Sequence, residues 1–188
     1  MTTSVTAPAV PAAARSLIEI WHKAECWIAV FAFALIAILL LIDVVGRELL
    51  APLLRLMDFK VGALGLQGSQ QVSVYALVIG SYAGIGIATA TNSHLVPRVG
   101  FGWIPAAWGL AMDRIADVIT GVFLIAVGVF AVRFVHSSMT AGLLMPVISL
   151  PVWPVQLVMP LGFFSASVRY FCFALWPALR PAPPEFQE

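Results

Sequence analysis

An all-α integral membrane protein is the fold class this sequence predicts: four transmembrane helices, with a short interfacial helix between the first and second. Three observations predict it. Of 188 residues, 61% are apolar and 10% charged, against roughly half and roughly a quarter in soluble domains. The apolar residues gather into four runs, each able to cross a hydrocarbon core of about 30 Å at about 1.5 Å per residue. The ten basic and nine acidic side chains fall mostly between these runs and at their ends.

Residues 1–14 carry no charged side chain and little that packs, so a disordered tail is expected. The apolar run that follows is too long for the core of a signal peptide and ends in no small-residue cleavage site, so it is expected to stay as a helix. The first span is expected at about 24–45. Trp21, His22 and Lys23 form its interfacial lead-in, with Trp21 and Trp27 at headgroup level. The second span is expected at 72–90. The third, 110–132, keeps Asp113, Arg114 and Asp117 in its first two turns. The fourth, 152–176, begins among Pro151 and Pro154, where proline is tolerated, and Pro160 should kink it. Residues 15–176 thus make one membrane domain, and 177–188 a proline-rich tail.

The connections differ from one another. Between the first two spans, Leu49, Leu50, Leu53, Leu54 and Met57 share a face at helical spacing, which predicts a short helix in the interface. Residues 92–108 carry two prolines and two glycines and read as turns. Residues 140–151 are apolar but punctuated by Gly142, Pro146 and Pro151, which suits a re-entrant or interfacial stretch. Four spans place both termini on one side. Arg15, Lys23, Arg98, Arg114 and Arg180 then oppose Arg47, Arg55, Lys60 and Arg133, a balance that favours cytoplasmic termini.

Several chemistries can be set aside. Net charge is +1 and no basic run exists, so no nucleic-acid partner is expected; membrane lipids are the natural surroundings. A helical bundle holding two haems needs four histidines on facing helices, and His22, His94 and His136 are three, all near span ends. Cys26 and Cys172 form neither a CxxC pair nor a metal spacing, and no phosphate-binding loop is present. Asp113 and Asp117, four apart, suit either a cation or a solvated first turn with an internal partner at Arg114; the second reading is preferred. Catalytic residues, metal ligands and cofactors are therefore not expected, and the chain does not read as an enzyme. A stand-alone four-helix membrane enzyme or redox subunit is the alternative.

Two polar or small-residue patterns remain. Asp43 and Arg47, at i and i+4 near the end of the first span, form a candidate intramembrane charge pair. An ion path and a packing salt bridge both fit; nothing ionisable continues a path, which favours the salt bridge. Ala76, Gly80, Gly84 and Ala88 set a small residue every four positions, a stripe suited to close helix packing against this chain or another, including a second copy.

Three passages, taken in order, give a resemblance. Glu25 stands before an apolar run that ends in Gly46-Arg47. The second span reads GSYAGIGIATATNSHLVPR, a glycine-bearing helix leaving through a polar segment into His94. Leu-Pro-Val-Trp at 150–153 precedes Met-Pro-Leu-Gly at 159–162, with Arg169 beyond. Over about residues 21–176 this resembles the small membrane subunit, DctQ type, of tripartite ATP-independent periplasmic (TRAP) transporters. The chain departs from the family where amide residues, Gln70 and Gln71, replace the usual Trp and acids at the start of the second span. The resemblance implies a scaffold rather than a catalyst, in a bacterial inner membrane. The implied partners are a large membrane subunit that carries substrate with Na+ and a periplasmic substrate-binding protein that delivers an organic acid. It also marks Arg47, His94 and Arg169 as family-like polar contacts.

Overall fold

A computed structural model describes residues 12–57, 65–91, 108–146 and 148–181. Four helices in it are long and apolar enough to cross a membrane, and no strand occurs among the described residues. The first helix, α1 (Ala12–Val45), does not stop where the span was expected to end. It continues through a π-helical turn, Gly46–Leu50, into α2 (Ala51–Leu56). The wide turn sits where Pro52 withholds a hydrogen bond from Glu48 and its ring crowds that carbonyl, the situation a π turn relieves. The segment expected as a separate interfacial helix is thus the end of the first helix. Together they span Arg15–Leu56, 42 residues, or about 63 Å, roughly twice the hydrocarbon thickness.

The second long helix, α3 (Ser69–Ala90), starts after Gly68, whose φ of 91° is open to glycine at little cost. At 22 residues it measures about 33 Å and matches the core thickness. The third, α4 (Gly109–Thr140), runs eight residues beyond the expected 132 and takes Arg133 and His136 into the helix. The fourth is divided into α5 (Trp153–Gln156) and α6 (Val158–Leu175), with a turn at Leu157. Pro160 has no N–H for Gln156, the last residue of α5, so the interruption falls where the proline predicts it. Between α4 and α5 the chain makes a small closed hairpin. Leu144 bridges Pro151, Met145 N–H donates to Leu150 O at 2.8 Å, and Met145 is buried beneath.

The helices lie in a row, α1, α3, α6, α4, with each packed mainly on its neighbours in that order. Side-chain contacts give the directions. Glu25 lies against Gly86 and Phe33 against Gly80, so α1 and α3 are antiparallel. Phe171 covers Gly121 and Phe164 covers Gly128, so α4 and α6 are antiparallel too. Tyr82 lies on Gly162, and Arg169 reaches Gly86, so α3 and α6 run parallel. The fold is therefore two antiparallel hairpins joined along the α3–α6 contact. The start of α1, the end of α3, the start of α4 and the end of α6 share one end of the bundle.

Candidate functional site

Near that shared end, three helices contribute to one buried polar cluster. Glu25 projects from α1, Ser165 and Arg169 from α6, one turn apart, and Gly86 from the last turns of α3. Arg169 Nη2 contacts Glu25 Oε2 at 2.6 Å. Ser165 donates its hydroxyl to Glu25 Oε1 at 2.6 Å. Arg169 Nη1 donates to the main-chain carbonyl of Gly86. The ring of Trp21, one turn before Glu25, lies 5.5 Å from the guanidinium carbon and adds a cation–π contact. Arg169 is 1% exposed and Glu25 is buried as well.

The packing explains why position 86 is glycine. A Cβ there would lie 2.5 Å from Glu25 Cδ and 2.6 Å from Oε2, and closer still to Oε1. Without that side chain, the carboxylate sits against the α3 backbone and the guanidinium reaches the carbonyl. A lone buried charge is expensive, so each partner makes the other tolerable. Every contact joins one helix of this chain to another, so the cluster is a cross-brace that fixes α1, α3 and α6 to each other. No group of three metal-ligating side chains occurs among the described residues.

A second polar contact lies at the same end. Arg180, just past the 3₁₀ turn Pro177–Leu179, pairs with Asp117 and stands 3.4 Å from Asp113. The two carboxylates at the start of α4 share the arginine of the tail, and Arg114 is not paired to either. The first residues of the expected tail are thus folded back on the membrane domain.

The structure separates Asp43 from Arg47. Asp43 is buried, and its Oδ1 accepts the Leu66 N–H at 3.0 Å, fastening the approach to α3 onto α1. Arg47 Nε donates to Glu48 at 3.2 Å, with both side chains exposed. The π turn begins between the two residues, at Gly46, so the α-helical i, i+4 spacing that suggests the pair does not hold there. Arg169, expected as a polar contact, is turned wholly inward. His94 lies outside the described residues. Of the small-residue stripe, Ala76 and Gly80 are buried, whereas a Cβ at Gly84 would meet nothing within 4 Å and Ala88 is half-buried. The buried face of α3 runs through Ser73, Ala76, Gly80, Ala83 and Gly86. A strict four-residue repeat drifts about 40° per step around a helix of 3.6 residues per turn, whereas alternating steps of four and three stay on one face.

Sequence reasoning noted Glu25 and Arg169 separately and missed that they meet. Ser165 and Gly86 carried no signal of their own. The available signal was a buried-type acid one turn after Trp21 and an arginine at the matching depth of the last span. Ionisable residues inside spans call for a partner.

A multi-pass helical membrane protein, whose buried charges tie its helices together rather than line a path, is the class that this fold and site define. The chain belongs to a family of transporter components. The model for tripartite ATP-independent periplasmic transporters, DctQ component, matches residues 36–179. Gly86, Ser165 and Arg169 lie inside that stretch, and Glu25 precedes it. No curated protein and no solved structure matches the chain. The family is one component of a tripartite transporter, not an enzyme family.

Proposed function

We propose that the chain is the static small subunit of a TRAP-type secondary transporter in a bacterial inner membrane, with both termini in the cytoplasm. It would support a large membrane subunit that takes up an organic acid with Na+, the substrate being delivered by a periplasmic binding protein. The observation that carries this reading is the cross-brace of Glu25, Gly86, Ser165 and Arg169. A carrier that alternates between two states needs polar groups at a site that opens and closes, commonly at broken helices. In this chain the deepest buried charges are spent on each other and hold three helices in one register. The outer faces of α1 and α4 are broadly apolar, with Phe31, Leu41, Ile119 and Phe123 exposed, as suits lipid and a membrane partner. Arg47, exposed, and Gly84, open on its outer side, are the places where partner contacts are best sought.

The test is co-expression with a large membrane subunit of a TRAP transporter. The two should purify as one complex, and uptake in liposomes should need both together with the binding protein. Transport by this chain alone in liposomes would overturn the reading.

A further inference from the structure

The helix α4 closes one edge of the row. One stripe of it is buried, through Asp117, Gly121, Gly128, Val135 and Ser138, mostly against α6. The rest looks outward and is largely apolar, with Ile119, Phe123 and Phe130 exposed. Arg133 interrupts that surface and is itself exposed.

Packing register sets the depth of Arg133. Gly128 lies under Phe164 of antiparallel α6, so five residues further along α4, Arg133 comes level with Met159. Gly162 lies against Tyr82 of parallel α3, which brings Met159 level with Ile79. The phenylalanine ring leans toward the start of its own helix, which widens the match to residues 76–79 of α3. These stand near the middle of Ser69–Ala90, the helix whose length matches the hydrocarbon core. Arg133 is therefore about 10–15 Å inside the level of Ser69.

A long basic side chain at such depth ordinarily escapes by snorkelling to the nearer headgroups. For Arg133 these lie beyond the C-terminal end of α4. The guanidinium goes the other way. Its carbon lies 5.8 Å from the centroid of the Phe130 ring, one turn toward the N-terminus, the direction in which helical side chains tilt. The cation–π contact covers one face of the guanidinium but leaves its N–H donors unfilled. Arg133 makes no ion pair among the described residues.

We infer that the outer face of α4 around Phe130 and Arg133 is the docking face for the large membrane subunit, which brings a carboxylate to Arg133 at mid-membrane depth. The inference rests on the supporting role proposed above and says which edge of the row performs it. A carboxylate is the group that complements a guanidinium where water does not reach. A second copy of this chain does not supply one. Glu25 stands at the level of Gly86 and Asp43 at that of Leu66, near the two ends of α3, and the other described carboxylates lie farther out. The opposite edge, α1, has no charged side chain between Glu25 and Asp43. Its outward Phe31, Leu35 and Ile38 suit acyl chains.

The test uses the full chain with a TRAP-type large membrane subunit, both labelled, in liposomes. Förster transfer at rising protein-to-lipid ratio measures their association. Arg133→Met should weaken it about thirtyfold or more, because the partner's carboxylate is then buried and unpaired. The isolated chain with Arg133→Met should unfold in SDS no earlier than the wild type, since Arg133 braces no other helix of the bundle. Phe130→benzoylphenylalanine should crosslink to the large subunit, whereas Phe31→benzoylphenylalanine, on α1, should label lipid. Unchanged association in Arg133→Met would overturn the inference and leave the supporting role standing. So would crosslinking of position 130 to lipid or to a second copy of the chain. A wild-type chain that does not associate with the large subunit would overturn both.

Discussion

Two glycines on one helix, two residues apart, should respond in opposite directions to the same added methyl group. At Gly84 a Cβ meets nothing within 4 Å. Gly84→Ala in the isolated chain should therefore be neutral or stabilising, by up to the helix-propensity difference of about 1 kcal/mol. At Gly86 the new Cβ would lie 2.5 Å from Glu25 Cδ. Glu25 has nowhere to retreat without cost, because Ser165 holds one oxygen and Arg169 the other. Overpacking alone costs about 1–3 kcal/mol. If the carboxylate is pushed off Arg169, the buried guanidinium loses its counter-charge, a change worth about 3–5 kcal/mol. After subtraction of the propensity gain, Gly86→Ala should destabilise by up to about 2 kcal/mol if only overpacking acts, and by about 2–4 kcal/mol if the carboxylate leaves Arg169. Unfolding of both variants by SDS titration in mixed micelles, followed by far-ultraviolet circular dichroism, measures the difference directly. Equal stability of the two variants would refute the claim that Glu25 is pinned against α3.

Other contacts give sharper contrasts. Glu25→Gln should cost about 3–5 kcal/mol by stranding Arg169, and Glu25→Gln with Arg169→Met should recover much of it, since removing both charges removes the desolvation burden; the same unfolding titration yields the coupling. Arg180→Ala leaves Asp117 buried without its partner and should cost about 1–3 kcal/mol. Asp113→Asn, at an exposed carboxylate, should cost under about 0.5 kcal/mol, and hydrogen exchange at 176–181 should speed up only in the first of these two variants. Asp43→Ala removes the acceptor of Leu66 N–H, so that amide should exchange faster while amides in the middle of α3 keep their protection.

Much of the fold was legible because membrane spans announce themselves by length and hydropathy alone. Pro160 marked the break between α5 and α6, since a missing N–H acts locally whatever surrounds it. The π turn was not legible. It depends on how α1 resolves the crowding at Pro52, and the expected Asp43–Arg47 pair failed with it. The stripe on α3 was half legible: small residues mark a packing face, but their exact phase depends on which neighbour covers the helix, and α1 and α6 cover Ala83 and Gly86 rather than Gly84. The site was visible only as separate charges. Glu25 and Arg169 are 144 positions apart, and nothing local says that they share a depth. Gly121 and Gly128, seven apart, and Phe164 and Phe171, seven apart, form complementary pairs on antiparallel helices. That pattern was readable once α4 and α6 are assumed to be neighbours, but not before.

The placement of the brace follows from what lipid withholds. In water, two hairpins would be driven together by their apolar faces, but in a bilayer those faces are as well solvated by acyl chains as by each other. The α3–α6 contact must then draw on close packing and polar bonds. Packing supplies part of it, through Gly162 against Tyr82 and the edge-on Tyr82–Phe163 pair at 5.5 Å between centroids. Apolar surfaces of this kind slide, because a shift by one turn exchanges one set of contacts for a similar set. The Glu25–Arg169 pair does not slide. A displacement of one turn, about 5.4 Å, would leave two buried charges unpaired and lose the Gly86 carbonyl as well. The pair therefore contributes less to how tightly the hairpins associate than to which register they adopt. Under the proposed supporting role, fixed outer faces matter more than a high net stability, and a set register is what keeps them fixed.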